Sequence, residues 1–197
     1  LNRDNNKPFA EVIESSLNRF LAQSWKWDTF PIFGSLVQIK GKAQTILGCV
    51  TAVKTGSMDP LRYPFPYQKS EETLKEELPQ IFEFLKTTFT VTILGYQDKN
   101  KLHYTLPPTP AKIHAFVCNS PSQLSTAFFS SPNFLHLLFA SQGEISHFDD
   151  LLLAIFRQKK LSSADLNDFC NKFSLLTGND YRRLKLFLQR VDINCSK

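Results

Sequence analysis

The spacing of apolar positions divides the chain into three stretches. In residues 8–24, Phe9, Val12, Ile13, Leu17, Phe20 and Leu21 recur at helical intervals, with Glu11, Glu14, Asn18 and Arg19 opposite. That pattern predicts an amphipathic helix opened by Pro8, and makes residues 1–30 an N-terminal helical segment. Trp25 and Trp27 follow it; such a pair can stack on nucleobases, and more simply anchors a helix to a sheet. From Pro31 the period shortens to that of strands. Leu36, Val37 and Ile39 run into a turn at Lys40-Gly41-Lys42, and Thr45 to Val53 is rich in β-formers. Gly34, Gly48 and Gly56 suit the corners or bulges of a small barrel. Tyr63-Pro64-Phe65-Pro66-Tyr67 then reads as a rigid extended connector, because its prolines forbid helix and limit strand pairing.

Lys69 to Tyr96 is the most informative stretch. Ser70 suits an N-cap, Glu71 and Glu72 suit the first turn, and Pro79 breaks the helix or starts a second short one. Residues 70–86 are read as a helical crossover that lets a barrel close, with Phe82, Leu85 and Phe89 filling it. Phe89 to Gly95 is a buried strand by its β-branched run, Asp98 to Lys101 a turn, and Leu102–Leu106 and Lys112–Cys118 two more strands. After Asn119-Ser120-Pro121-Ser122 the helical period returns, at Phe134–Ala140, Phe148–Gln158, Ala164–Leu176 and Tyr181–Val191. Ser162 or Ser163 would cap the third of these; Thr177-Gly178-Asn179-Asp180 would end it and cap the fourth. The expected fold is α+β: a small β-barrel of about five to six strands over 31–118, one amphipathic helix before it, and an α-helical C-terminal domain over 119–197.

Three segments carry a family resemblance. FGSLVQIKGKAQTILGCVTAVKTGSMDP, then KSEETLKEELPQIFEFLKTTFTVTILGY, then LPPTPAKIHAFV are similar to the HAS-barrel domain, named for HerA-type DNA translocases and ATP synthase catalytic subunits. The chain more closely resembles the stand-alone HAS-barrel proteins of uncharacterised function in cyanobacteria and related bacterial lineages, with Glu76 to Phe82 as the most distinctive piece. In the translocases and synthases the barrel precedes a RecA-type ATPase and serves ring assembly and partner docking. This chain departs there. It has no room after Cys118 for such a domain and no G-x-x-x-x-G-K-[ST]; the nearest candidate, Gly34 with Gly41-Lys42, has the wrong spacing and Ala43 where a hydroxyl belongs. ATP hydrolysis is not expected.

Composition changes the picture in two ways. The 18 Phe against one Met predict an aromatic core. The net charge of +5 lies wholly in residues 151–197, which hold 9 Lys and Arg against 4 Asp and Glu. That excess is either a solvated helical face or the mark of an acidic partner. Cys49, Cys118, Cys170 and Cys195 form no C-x-x-C pair and are expected as free, mostly buried thiols of a cytoplasmic protein. No signal-peptide pattern and no long apolar run suggest secretion or a membrane partner, and a start at Leu1 leaves room for an upstream segment.

Candidate chemistry is sparse. His103, His114, His136 and His147 fall in no metal-binding pattern. His114 and Cys118, on a strand, would stand roughly 13 Å apart, too far to share a metal. Glu71, Glu72, Glu76, Glu77 and Glu83 are interleaved with Lys69, Lys75 and Lys86, which reads as an exposed face laced with ion pairs. No catalytic, cofactor or metal residue is assigned. The remaining signal is the last helix, where Tyr181, Leu184, Phe187, Leu188 and Val191 share one sector, and Arg182, Arg183, Lys185, Gln189 and Arg190 the other. Arg182, Arg183, Lys185 and Arg190 are therefore the candidate contacts to nucleic acid or another acidic partner, as in a helix-turn-helix; a helical bundle gives the same pattern. The expected function is a non-enzymatic module in protein–protein contact or complex assembly. The alternatives are nucleic-acid binding by that basic helix, which a salt titration with short duplexes would test, and an enzyme with a site between the two halves.

Overall fold

The computed structural model describes residues 7–59, 61, 63–158 and 163–195. Seven strands come first: β1 (Pro8–Ser15), β2 (Arg19–Ser24), β3 (Leu36–Lys40), β4 (Thr45–Ser57), β5 (Leu85–Asp98), β6 (Lys101–His103) and β7 (Phe116–Asn119). All pairings are antiparallel. Six strands close in the order β2-β1-β7-β3-β4-β5, with β5 returning to β2, and β6 extends β5 as a hairpin. Closure removes the open sheet edges that would otherwise invite pairing with other chains.

Residues 8–24 are thus not the expected helix but the β1–β2 hairpin. A bulge between Val12 and Glu14 explains the misleading spacing. One inserted residue shifts the alternation and creates the i, i+3 and i+4 intervals of a helix. Ala10, Val12, Phe20, Ala22 and Ser24 point inward, while Ile13 and Leu17 are exposed. The barrel therefore starts near residue 8, not 31.

Alternation explains the remaining strands. Val37, Ile39, Ile46, Val50, Phe89, Val91, Ile93 and Val117 join Val12 and Phe20 in the barrel interior. On β3, β4 and β5 the intervening residues Leu36, Leu47, Cys49 and Leu94 are buried as well, in a second core shared with the helices. Strands buried on both faces read as continuous apolar runs, which is why these were legible from composition alone.

The connection from β4 to β5 contains α1 (Glu71–Glu77) and a 3-10 turn (Pro79–Phe84). Ser70 caps α1, its Oγ accepting from the Thr73 N–H at 3.3 Å. Hydrogen bonds from its own backbone N–H and from Ser70 hold the Glu72 carboxyl below the usual carboxylate range. Lys75 pairs with Glu71 and Lys69 with Glu77, as expected for an exposed face. The strands it joins are neighbours, so the connection does not close the barrel. No residue of α1 or of the 3-10 turn is buried. Phe89 fills the interior as expected, but Phe82 stacks on Trp27 outside it.

Lys112–Cys118 is a strand only from Phe116. His114 sits in a turn at φ 64°, exposed, with Nδ1 3.2 Å from Glu11 Oε2. The helices that follow are α2 (Ser122–Ser130), α3 (Leu135–Ala140), α4 (Phe148–Gln158), α5 (Ser163–Leu176) and α6 (Tyr181–Cys195). α2 was not anticipated; its Ser- and Thr-rich sequence carries only a short apolar stripe, Leu124 and Phe128. Gly178, at φ 65°, ends α5, and Asp180 caps α6, its Oδ1 accepting from the Arg183 N–H at 3.0 Å. The suggested cap at Ser162 lies outside the described residues, as does the side chain of Ser163.

The helical core is aromatic, as the Phe count implied. Phe156, Phe169, Phe173 and Phe187 pack with ring centroids 4.4–5.7 Å apart, and Phe139 joins Phe173 to Phe148. Tyr104 ties this core to the barrel: its hydroxyl donates to the Phe128 carbonyl at 2.9 Å, and burial pushes its pKa up.

Candidate functional site

Among the described residues, the most exposed large apolar side chains lie between β4 and α1. Leu61 is 92% exposed, Tyr63 91% and Phe65 70%; Met58, Tyr67 and Phe84 are also exposed. The arm is not loose at its root. Met58 N–H donates to the Phe84 carbonyl at 2.7 Å, Asp59 N–H to Ser57 Oγ at 3.1 Å, and Leu61 N–H to Asp59 Oδ1 at 3.0 Å. Beyond it, Pro64 and Pro66 fix φ at alternate positions, and the Phe65 and Tyr67 rings meet edge to face at 5.3 Å. Large apolar side chains are thus held in water on a stiff backbone. The sequence showed the stiffness; it could not show how far these side chains are exposed.

The four basic residues of α6 divide. Arg182 and Lys185 are exposed on the surface. Arg183 is half-buried, bonded to Asp149 Oδ1 at 2.9 Å and to Gln142 Oε1 at 3.4 Å, with its guanidinium 5.7–5.9 Å from the Phe139, Phe148 and Phe173 rings. Arg190 pairs with Asp150. A charge-assisted bond plus cation–π contact in a partly desolvated site makes Arg183 a bolt between α6 and α4. Arg183→Ala is expected to cost about 1–3 kcal/mol, read from urea unfolding midpoints.

Compared with protein-family models, residues 9–99 match the HAS barrel domain. The chain carries a HAS barrel. The match begins inside β1, in keeping with β1 and β2 as barrel strands, and it covers β1 to β5. No curated protein matches the chain.

A cleft of about 620 Å³ separates the HAS barrel from the loop before α4, lined by Arg19, Thr51, Thr90, Glu144, His147 and Asp150 among others. Acidic and imidazole groups converge in it. The groups are already engaged: Arg19 Nη1 donates to Glu144 Oε2 at 3.1 Å, and Asp150 takes Arg190 and lies 4.0 Å from His147 Nδ1. The Arg19, Glu144, His147 and Asp150 side chains are each at least half exposed, so water screens the charges among them.

The remaining candidates stay apart. His103 stacks on Tyr96 at 4.7 Å, and the described residues contain no group of three or more His, Cys, Asp or Glu able to hold a metal ion. Cys49, Cys118 and Cys170 are free thiols; burial raises the pKa of all three, that of Cys49 far above the usual thiol range. The thiol of Cys195 lies outside the described residues. No helix among the described residues is long and apolar enough to cross a membrane.

Proposed function

We propose that this chain is a non-enzymatic module, cytoplasmic in keeping with its free thiols, in which a HAS barrel carries a docking arm for a protein partner during complex assembly. The observation that supports it is the exposure of Leu61, Tyr63 and Phe65 on a proline-stiffened backbone. Exposed apolar side chains in a cluster mark interaction sites. A pre-stiffened Tyr-Pro-Phe-Pro-Tyr segment loses little entropy on docking, and suits a partner groove lined by aromatic side chains.

The test uses the full chain as bait in native extract, alongside Tyr63→Ser with Phe65→Ser. A partner that co-purifies stoichiometrically should bind the double variant at least about thirtyfold more weakly, as expected for two hot-spot aromatics. The melting temperature should not change, because neither ring is packed in a core. Equal retention by the variant would remove the arm from the reading, and ATP hydrolysis by the pure protein would remove the non-enzymatic part.

Nucleic-acid binding through α6 draws less support. Arg183 and Arg190 are engaged by Asp149 and Asp150, which leaves Arg182 and Lys185 to meet a phosphate backbone without giving up an ion pair that the structure makes. Release of so few counterions predicts weak affinity.

A further inference from the structure

We infer that the outer face of β1, β2 and β7 holds an arginine side chain of a protein partner. The three strands are neighbours in the barrel, and their register puts Glu11 directly opposite Phe116 on β7 and Gln23 on β2. Trp25 follows the last residue of β2 and is fixed there by its backbone N–H, which donates to the Phe9 carbonyl at 2.9 Å. Strand pairing alone thus brings Trp25, Glu11 and Phe116 together.

The geometry of this patch selects its ligand. The rings of Trp25 and Phe116 meet at 88° with centroids 5.5 Å apart, and both are about half exposed. Two perpendicular rings form a corner whose π faces attract a cation. Beside them stands the partly buried Glu11 carboxylate, oriented at both oxygens: Oε1 accepts from Trp25 Nε1 at 3.1 Å, and Oε2 lies 3.2 Å from His114 Nδ1. A carboxylate offers about four acceptor sites, which leaves room for the two parallel N–H bonds of a guanidinium. Arginine satisfies both parts at once, stacking its plane on an aromatic face while its edge bonds the carboxylate; an ammonium has no plane to stack. The same carboxylate repels the phosphate of a nucleotide, which argues against Trp25 as a nucleobase platform. Ile13, two residues along β1 from Glu11, and Ile113, next to His114, are exposed as well. They offer apolar surface to the residues flanking the arginine, which selects a peptide chain over the free amino acid. None of these side chains belongs to the Tyr63–Tyr67 arm, so the test needs neither the arm nor its partner.

The test is NMR of the indole N–H groups in the full chain. The two tryptophans give one resonance each, assigned with Trp25→Phe, and Trp27, which stacks on Phe82, is the internal control. The probes are a blocked tripeptide with arginine between two leucines, the same peptide with citrulline or lysine at the centre, free arginine, and a thymidine oligonucleotide. The arginine peptide should shift the Trp25 resonance saturably and leave that of Trp27 in place. The citrulline peptide, its uncharged isostere, should bind about tenfold more weakly, and the lysine peptide about threefold. Glu11→Gln keeps an acceptor for Trp25 Nε1 but removes the charge; it should weaken binding about tenfold at an unchanged melting temperature. Phe116→Leu keeps the apolar cover but removes a π face, and should weaken binding about threefold. The assignment falls if the Trp25 resonance does not move or both resonances move together, if the citrulline or lysine peptide binds as tightly, or if either variant binds like the parent. It falls equally if free arginine matches the peptide, or if the oligonucleotide moves Trp25.

Discussion

Phe173→Ala should destabilise the protein by about 3–5 kcal/mol, a large part of the 5–15 kcal/mol typical of a whole domain. Phe173 is fully buried, and its ring touches those of Phe139, Phe169 and Phe187 and the Arg183 guanidinium. Removing it leaves a cavity that four helices cannot close by a rotamer change, since each neighbour is held by other rings. The cost overlaps that of Arg183→Ala, whose guanidinium loses one wall of its cage, so the double variant should fall short of the sum. Unfolding followed by far-UV circular dichroism reports the helices, and fluorescence of Trp25 and Trp27 reports the barrel. Both midpoints should fall together, because Leu36, Leu47, Cys49 and Leu94 place barrel strands in the same core as Phe173. A shift confined to the dichroism signal would show that the two halves melt independently.

The parts of the fold that the sequence revealed share a physical cause. β3 and the adjoining stretches Ile46–Val50 of β4 and Val91–Gly95 of β5 are buried on both faces, so successive positions there report burial; α1 is marked by Ser70 and Pro79; α6 is marked by Gly178 and Asp180. The β1–β2 hairpin was read as a helix because the bulge at Val12–Glu14 broke its alternation, and because small Ala10, Ala22 and Ser24 point inward while Ile13 and Leu17 face water. α2 was missed because Ser122, Ser125 and Thr126 face a cavity rather than a partner helix. The candidate sites were less legible still. Arg183 looked identical to Arg182 on a helical wheel; only tertiary packing draws it over three rings while leaving Arg182 in solvent. The Tyr63–Tyr67 arm was identified as stiff, but exposure depends on what the rest of the chain fails to place against it.

Cutting the chain between β7 and α2 should have the largest effect of all. The barrel is closed by hydrogen bonds without any help from the helices, which argues for an independent unit. The outward faces of β3, β4 and β5 argue otherwise, and their magnitude decides. Leu36, Leu47 and Leu94 are at most 3% exposed in the intact chain, covered by the shared cluster that contains Phe128, Phe134, Leu135 and Leu138. Exposing three such side chains forfeits roughly 1.5–3 kcal/mol each, together comparable to the whole stability of a small domain. The exposed leucines would also form one contiguous patch, because β3, β4 and β5 are neighbours. Residues 7–120 alone should therefore bind a hydrophobic dye and lose a cooperative melt, while retaining strand signal by circular dichroism. A sharp two-state transition with native Trp emission from this fragment would show that the barrel stands by itself. It would then make the helices an appended unit rather than the second half of one core.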